Sequence, residues 1–312
     1  MNAIEVIGLH KSYGEVAAVR GVDFAVPTGQ VFAFLGPNGA GKTTTVEILE
    51  GYRQRTSGSV TVLGHDPADG DRALRERIGI VLQECGFPRS ATVRELVRLH
   101  AGYYSRSRDA DEVLGVVGLN EKSGALVREL SGGQQRRLDL ALALVGDPEL
   151  IFLDEPTTGF DPSARREAWD VIANLRDLGK TIFLTTHYMD EAQALADRVA
   201  VIAAGRIVAE GTPDDLGGRA QMATEIRFSL DAALQGEALP DLAGAEVVTG
   251  ASILVRTTEP TPALHALTSW AMARGGTLDG LTVARPTLED TYLRLTASAT
   301  GAAPTTEEEP SR

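Results

Sequence analysis

The sequence predicts an α/β fold built on a mainly parallel β-sheet. Four short runs are apolar almost throughout, which is typical of parallel strands that are covered on both faces. These runs are Val31–Leu35, Leu150–Leu153, Thr181–Leu184 and Val199–Ala203. Segments with helical periodicity separate them along the chain, and this alternation indicates helices packed against one sheet.

A small antiparallel β layer is predicted ahead of the parallel sheet. Apolar and polar residues alternate around Ile4 and Val6, and again at Val22, Phe24 and Val26. A period of two is typical of strands with one buried face. We therefore expect half-buried antiparallel strands in this N-terminal segment.

The segments between the apolar runs carry helix signals. In Gly133–Val145, apolar residues recur at i, i+3, i+4 and i+7, and a second helix over about Ser163–Leu178 follows an Asp-Pro pair. Residues of about 84–130 contain no apolar strand run. They predict an inserted helical subdomain with helices around Val93–Ala101 and Ala110–Val117.

A change of character near residue 218 predicts a second domain. We expect a nucleotide-binding domain over 1–218, a small α+β domain over 219–297 and a disordered acidic tail over 298–312. The elements expected in the second domain are strands at Glu225–Leu230, Glu246–Val248, Ile253–Thr257 and Leu281–Ala284, and helices at Pro262–Ala273 and Leu288–Leu295.

Composition narrows the possible classes of function. No apolar run approaches the roughly 18 residues of a membrane span, and the N-terminus lacks the features of a signal peptide. The single Cys85 cannot form an internal disulfide, so we expect a cytoplasmic location and a quiet thiol. The net charge of −13 argues against nucleic acid as a partner.

The first candidate binding site is a glycine-rich turn between the first apolar run and a helical stretch. Its pattern, Gly-x-x-x-x-Gly-Lys-Thr, is that of a phosphate-binding loop in the strand–loop–helix context that such a loop requires. Backbone N–H groups and Lys42 would bind the phosphates of ATP, and the Thr43 hydroxyl would bind Mg²⁺. The residues expected to contact ATP are Gly36, Pro37, Asn38, Gly39, Ala40, Gly41, Lys42, Thr43 and Thr44.

Two adjacent acids follow the second apolar run. In open α/β sheets ligands bind at the carboxyl ends of the strands, which is where Asp154 and Glu155 fall. Asp154 would hold Mg²⁺, and Glu155 would polarise an attacking water. In isolation such a pair is more often a strand end and a solvated turn, but its order after the phosphate loop favours the functional interpretation.

A second glycine-rich turn opens the helix at Gly133–Val145. It also has the build of an anion site at a helix N-terminus, yet it contains no lysine. The residues concerned are Ser131, Gly132, Gly133 and Gln134. The nucleotide bound at this second turn would belong either to the chain itself or to another subunit.

Three further residues complete a pattern. Gln83 ends an apolar run, Asp161 lies in a loop before a helix, and His187 follows the strand Thr181–Thr186. Alone, Gln83 and His187 would be ordinary polar residues at strand ends, and Asp161 a helix cap. Together with both turns and the acid pair, in this order, they resemble the ATP-binding-cassette ATPases over about residues 4–215.

The resemblance implies a role for each matching residue. Tyr13 is similar to the aromatic residue that stacks on adenine, although a tyrosine in a turn is as often a packing residue. Gln83 resembles the residue that contacts Mg²⁺ and the attacking water. Glu155 resembles the general base, and His187 resembles the switch that contacts the γ-phosphate.

The resemblance also implies a dimer. Ser131 and Gly133 look like the groups that contact the ATP of the opposing subunit, and Asp161 would lie in the loop at the dimer interface. Phe160 departs from the pattern because leucine is usual there, so we expect altered packing but unchanged chemistry. Two ATP molecules would then be held between the subunits of a homodimer.

Two segments indicate which subfamily of these ATPases the chain resembles. Thr92–Leu96 and Pro286–Leu293 are similar to the ATPase subunits of bacterial drug exporters of the daunorubicin-resistance type. This implies a separately encoded membrane permease as partner and a position on the cytoplasmic face of the membrane. Residues 286–293 could also be an ordinary amphipathic helix, and an importer ATPase or a non-transport ATPase of the same family remains an alternative.

Overall fold

A computed structural model describes residues 1–81, 86, 88, 90–250, 252–285 and 287–300. They divide into two compact units, one made of Met1–Pro213 together with the residues from Thr296 on, and the other of Asp214–Leu295. Gln83, Cys85 and Pro286 lie outside the described residues, as do residues 301–312 of the expected tail.

The strands are β1 (Asn2–Tyr13), β2 (Val16–Pro27), β3 (Val31–Leu35), β4 (Ser57–Val62), β5 (Ile78–Val81), β6 (Leu150–Asp154), β7 (Thr181–Thr186), β8 (Arg198–Ala203), β9 (Arg206–Gly211), β10 (Thr224–Leu230), β11 (Glu246–Thr249), β12 (Ile253–Thr257) and β13 (Leu278–Ala284). The α-helices are α1 (Lys42–Leu49), α2 (Arg72–Arg75), α3 (Val93–Ala101), α4 (Ala110–Val116), α5 (Gly132–Leu144), α6 (Pro162–Asp177), α7 (Met189–Leu195), α8 (Pro260–Ala273) and α9 (Leu288–Thr300). Short 3₁₀ segments lie at Pro67–Asp69, Asn120–Lys122, Val127–Glu129 and Leu216–Gln221.

A six-stranded sheet in the order β5-β6-β7-β3-β8-β9 forms the first unit's centre. The strands from β5 to β8 pair in parallel, and β9 closes the edge antiparallel to β8. Every residue of β3 and β7 is buried, as the apolar runs predict for strands covered on both faces. The α/β fold with a mainly parallel sheet is therefore confirmed.

The N-terminal layer is a three-stranded antiparallel sheet in the order β2-β1-β4. Its inward side chains join those of the parallel sheet in one core, because Phe24 of β2 packs on Phe32, Phe34 and Phe183 with ring centroids 5.5–5.9 Å apart. Aromatic contacts at this spacing add to the stability gained from apolar burial. This core supports the strand ends that carry the acid pair and the phosphate loop.

Helices α3 and α4 lie in the expected helical region. Thr92 caps α3 in a reciprocal arrangement with Glu95, and Asp109 caps α4 by accepting from two backbone N–H groups. Such caps satisfy donors that a helix start leaves unpaired. Both helices begin where the sequence predicts, and α4 ends one residue earlier, at Val116.

The second unit has its own sheet and core. Four antiparallel strands in the order β11-β12-β10-β13 pack on α8, with Ile226, Phe228, Val255 and Leu267 fully or almost fully buried. Strand β13 and helix α8 begin earlier than predicted, at Leu278 and Pro260. Helix α9 continues to Thr300, past the position where the sequence places the start of a disordered tail.

Two strands of the first unit have no counterpart in the sequence analysis. β4 contains Ser-Gly-Ser at its start, and β9 is a half-buried edge strand that follows a tight turn at Ala204 and Gly205. Neither has a long apolar run or a clean alternation, so pairing with a neighbour decides its conformation. Among the helices that the structure describes, none is long and apolar enough to cross a bilayer.

Candidate active site

Three neighbouring strands bring the expected site residues to one edge of the sheet. In the order β6-β7-β3, the acid pair lies at the end of β6, with Asp154 as its last residue, while His187 follows β7 and the phosphate loop follows β3. Their carboxyl ends lie in register, with Asp154 opposite Thr185 and Leu35 opposite Thr186. Parallel pairing therefore assembles groups that are about 150 residues apart in sequence.

The phosphate loop fits closely against the sheet at its two framing glycines. A Cβ atom at Gly36 would lie 2.5 Å from the Ile202 carbonyl oxygen, and one at Gly41 would lie 2.6 Å from that of Ala18. Gly41 also has a φ of 107° and caps α1, a conformation that side chains disfavour. The tip, Pro37–Gly39, is exposed, so the loop presents its backbone to solvent.

Replacing Gly41 with Ala should destabilise the first unit and weaken ATP binding. Left-handed backbone strain accounts for about 1–2 kcal/mol, and the contact with Ala18 should raise the loss to about 3 kcal/mol. Gly29→Ala is a matched control, because Gly29 has a φ of 77° but no atom within 4 Å of the added Cβ. Urea unfolding and ATP titration measure both variants; equal losses would contradict a steric requirement at Gly41.

Lys42 is buried at the centre of the loop, with 5% of its surface exposed. Its ammonium donates to the carbonyl oxygens of Gly36 at 2.7 Å and Pro37 at 3.3 Å, and its Nζ lies 3.5 Å from Oε1 of Glu155. Burial lowers the pKa of this ammonium, while the charges of Glu155 and Asp154 oppose that shift. The group is thus partly desolvated and already aimed into the loop, as a phosphate ligand requires.

Thr185 holds the acid pair in place. Its hydroxyl donates to Oδ1 of Asp154 at 2.5 Å and accepts from the backbone N–H of Glu155 at 3.0 Å. Glu155 has a φ of 45°, a left-handed conformation that is strained for a residue with a side chain. In this conformation Oε1 of Glu155 lies 3.5 Å from Nζ of Lys42 and 3.3 Å from Nδ1 of His187.

The Glu155 carboxylate lies between the side chains of Lys42 and His187. Nδ1 of His187 is 3.3 Å from its Oε1, and the Thr158 hydroxyl donates to its Oε2 at 3.1 Å. Burial raises the pKa of this carboxyl, but His187, Lys42 and Thr158 outweigh that effect, so the net pKa falls below its usual value. Glu155 is therefore ionised at neutral pH and available as a hydrogen-bond acceptor.

The second glycine-rich turn opens a separate cleft of about 560 Å³. Ser131 caps α5 by accepting from the N–H of Gln134, and the Gln134 side chain accepts from the N–H of Ser131 in return. The cleft is lined by Ser131, Gly132, Gly133, Gln134, Arg137, Thr158, Gly159, Phe160, Asp161, Ser163, Ala164 and Glu167. None of the phosphate-loop residues, all of which the structure describes, is among them.

Asp161 acts as a helix cap in this subunit. Its carboxylate accepts from the N–H groups of Ser163 and Ala164 at 2.9 Å, at the start of α6. The same residue lines the cleft at the second turn and is exposed. The capping interaction is compatible with a role at an interface. Both capping hydrogen bonds go to Oδ1, so the cap does not use the second carboxylate oxygen.

Tyr13 and Thr43 are both exposed. Tyr13 is 41% exposed, and its ring has the cations of Lys11 and Arg53 at 5.0 and 5.3 Å from its centroid. Thr43 is exposed in the first turn of α1, and Thr44 beside it is half-buried. Within the described residues, no group of three or more His, Cys, Asp or Glu side chains is placed to hold a metal ion.

Two buried charged residues near the site were not singled out from the sequence. Arg136 of α5 donates to the carbonyl oxygens of Asp154 and Pro156, both at 3.1 Å, and so ties the second turn's helix to the acid pair. Glu191 of α7 is fully buried, and its Oε1 accepts from Thr157 and from Trp169. Burial raises the pKa of Glu191.

The sequence carries no clear signal for either residue. A charged side chain on an amphipathic helix is usually solvent-exposed, and only the partners show that these two are enclosed. Both act on the loop between Glu155 and Asp161, which carries residues of both anion sites. These buried polar contacts hold the loop together with local turn hydrogen bonds, which the N–H groups of Thr158 and Phe160 donate to the carbonyl oxygens of Glu155 and Thr157.

Comparisons with known proteins agree with this geometry. A family model described as ABC transporter matches residues 19–158, and one described as ABC transporter domain-containing protein-like, C-terminal domain, matches residues 224–287. The daunorubicin resistance ATP-binding protein DrrA3 of Streptomyces coeruleorubidus is 39% identical over 94% of this chain and 96% of its own length.

Two further proteins are similar over about two thirds of the chain. The Nod factor export ATP-binding protein I of Rhizobium sp. (strain N33) is 44% identical over 69% of this chain and 72% of its own length. A solved dimeric ATP-binding cassette with bound ADP and phosphate has a TM-score of 0.60 at 25% identity, over 67% of this chain and 98% of that one. The chain therefore belongs to the ABC transporter ATP-binding family, whose members bind and hydrolyse ATP.

Proposed function

We propose that this chain energises export through a separate membrane permease and hydrolyses ATP as a homodimer. The homodimer is inferred from the separation of the two anion sites. The phosphate loop lies at the ends of β3 and β6, whereas the second turn opens a cleft to which no phosphate-loop residue contributes. Two copies arranged head to tail would bring each phosphate loop to the other copy's second turn.

Within one subunit, each residue has a distinct task. Lys42 and the backbone from Asn38 to Thr44 bind the phosphates, and the exposed ring of Tyr13 stacks on the base. Glu155 accepts the proton of the attacking water, since its carboxylate is ionised and only 12% exposed. His187 orients that water and contacts the γ-phosphate, at a distance from Glu155 that allows one small group to touch both.

Thr43, Asp154 and Gln83 are the residues that would hold Mg²⁺. A hydroxyl, one carboxylate and an amide fit this ion, because it retains waters and phosphate oxygens and seldom occupies an all-protein site. When bound, the ion neutralises charge that develops on the phosphates. Thr185 fixes the Asp154 carboxylate for this purpose through its 2.5 Å hydrogen bond.

The second turn would bind the partner subunit's nucleotide. Ser131 and Gly132 are exposed at the N-terminus of α5, a 13-residue helix whose dipole favours an anion at that end. Gly133 and Gln134 complete the turn, and Asp161 would contact the partner across the same cleft. Arg136 would transmit a change at this turn to Asp154 through the two carbonyl groups that it contacts.

Similarity supports the direction of transport. The relatives at 39–44% identity include a daunorubicin resistance protein and Nod factor export proteins. A drug, antibiotic or lipid-like compound is therefore the proposed cargo, with the ATPase on the cytoplasmic face of the membrane. We propose that residues 1–218 form the nucleotide-binding domain and residues 219–297 an accessory domain.

Transport assays with a candidate permease test this function. If a multi-spanning protein is encoded beside this chain, inverted vesicles containing both proteins should accumulate daunorubicin when Mg²⁺ and ATP are supplied. Vesicles with either protein alone, or with the Glu155→Gln chain, serve as controls and should not accumulate it. Transport that runs only into right-side-out vesicles and requires a solute-binding protein would identify an importer and refute the proposal.

A further inference from the structure

The residue after His187 is a tyrosine whose ring contacts the imidazole. The ring centroids of His187 and Tyr188 are 4.0 Å apart, and the ring planes are inclined by 40°. Both side chains are half-buried. The Tyr188 N–H donates to the Thr186 hydroxyl at 2.9 Å, so a local turn fixes the backbone around His187. The orientation of the imidazole then depends on what its ring contacts.

Arg165 of α6 reaches the Tyr188 ring from another helix. Its guanidinium carbon lies 4.3 Å from the centroid of that ring, which is a cation–π contact. The guanidinium also donates to the Asp190 carboxylate at 3.0 Å. Its Nε is buried and has no acceptor among the residues that the structure describes. The guanidinium is therefore partly withdrawn from water and is held by one ring and one carboxylate.

The packing of α6 on α7 has a separate anchor. Trp169, one turn after Arg165, donates to the fully buried carboxylate of Glu191 at 3.2 Å. The Asp190 side chain, by contrast, is 56% exposed, and an exposed ion pair contributes little to stability. The Glu191 contact thus joins the two helices, while Arg165 adds a support for the Tyr188 ring.

The imidazole of His187 is not fixed by hydrogen bonds of its own ring. Its Nδ1 lies 3.3 Å from Oε1 of Glu155, but without the geometry of a hydrogen bond. The side chain is 33% exposed, so a change of rotamer would carry the ring away from Glu155. Contact with the Tyr188 ring opposes that rotation.

We propose that Tyr188 and Arg165 are positioning residues that hold the His187 imidazole beside Glu155. Arg165 fixes the Tyr188 ring, and this ring fixes the imidazole. The benefit for hydrolysis rests on the proposed function, in which His187 orients the attacking water. The placement of the imidazole itself is independent of that function.

Motion of the imidazole in the full chain without nucleotide tests the placement directly. Histidine labelled with ¹³C at ε1 reports on all five histidines by NMR, and loss of one signal in His187→Gln assigns it. Its order parameter in the wild-type chain should exceed about 0.8. Tyr188→Leu and Arg165→Met should each lower it below about 0.6, whereas Tyr188→Phe, which keeps the ring, should not.

Arg176→Met is the matched control. Arg176 lies in the last turn of the same helix and is also paired with an acid, Asp177 at 3.6 Å, so its loss should leave the His187 order parameter unchanged. A mobile imidazole in the wild-type chain would overturn the proposal without reference to any variant. An imidazole that stays ordered in both Tyr188→Leu and Arg165→Met would overturn it as well.

Hydrolysis of radiolabelled ATP measures the consequence for the reaction. Tyr188→Leu and Arg165→Met should lower kcat by about ten- to a hundredfold and leave KM for ATP within about twofold, because they disturb orientation and not the phosphate loop. In a His187→Gln background neither should lower kcat by more than a further factor of about two. The full loss in that background would show that the pair does not act through His187 and would overturn the proposal. Unchanged kcat in the variants with a mobile imidazole would count only against the role that the proposed function gives to His187.

Discussion

Glu155→Gln should leave ATP binding intact and lower the hydrolysis rate by about a hundred- to ten-thousandfold. The amide has the size of the carboxylate and can still accept a hydrogen bond from Thr158, but it cannot take a proton from water. It also removes a negative charge 3.5 Å from the Lys42 ammonium, where phosphates would bind, so ATP affinity should not fall. Phosphate release and ATP titration measure the two effects separately.

The control for this variant lies at the opposite end of the same strand. Glu149 precedes β6 and forms a bidentate ion pair with Arg77, far from the carboxyl edge of the sheet. Glu149→Gln should therefore retain the wild-type rate within about twofold, since exposed ion pairs contribute little. Gel filtration with ATP should show a dimer that persists only in Glu155→Gln. Wild-type turnover in that variant would show that Glu155 is not the base.

The central sheet and the positions of the motif residues could be predicted because their signals are local. Unbroken apolar runs such as Val31–Leu35 indicate strands buried on both faces, and a turn directly after such a run falls at the ligand-binding edge. Asp154, Glu155 and His187 each follow a strand of this kind. Their proximity then results from parallel pairing in register, without further information from the sequence.

The supporting residues could not be predicted, because their roles depend on distant partners. Thr185 looks like a strand residue until its hydroxyl is seen between Asp154 and Glu155. Glu191 has the sequence context of a solvated helix residue, yet it is fully buried. Strand β9 has only half-buried and exposed residues, so its pairing with β8 decides its conformation. Burial and non-local hydrogen bonds are the information that a single sequence lacks.

The separation of the two anion sites leads to a test of where each nucleotide is bound. Lys42→Ala disables the phosphate loop of a subunit, and Gly133→Asp places a negative charge in its second turn. A Cβ at Gly133 would lie 3.8 Å from Cβ of Ala164, an ordinary contact, and an acid in the first turn of α5 suits the helix dipole. The second variant should therefore fold and still bind ATP at its own phosphate loop.

Each variant alone should be inactive, but a mixture of the two should regain activity. In a head-to-tail dimer of unlike variants, the intact phosphate loop of one subunit faces the intact second turn of the other. Random pairing makes half of the dimers mixed, with one working site of two, so the 1:1 mixture should reach about one quarter of wild-type activity. Phosphate release after subunit exchange measures this recovery.

The matched control carries both substitutions in one chain, mixed 1:1 with the wild-type chain. If the sites lie between subunits, every mixed dimer is inactive and only wild-type dimers contribute, which again gives about one quarter of the activity. If each subunit instead used its own second turn, this control would retain about half of the activity, and the mixture of single variants would stay inactive. Equal activities of the two mixtures therefore require a site shared between subunits, whereas a site within one subunit lowers the activity of the first mixture and raises that of the second. The reason is that one chain's Lys42 can be complemented by another chain's Gly133 only across two subunits.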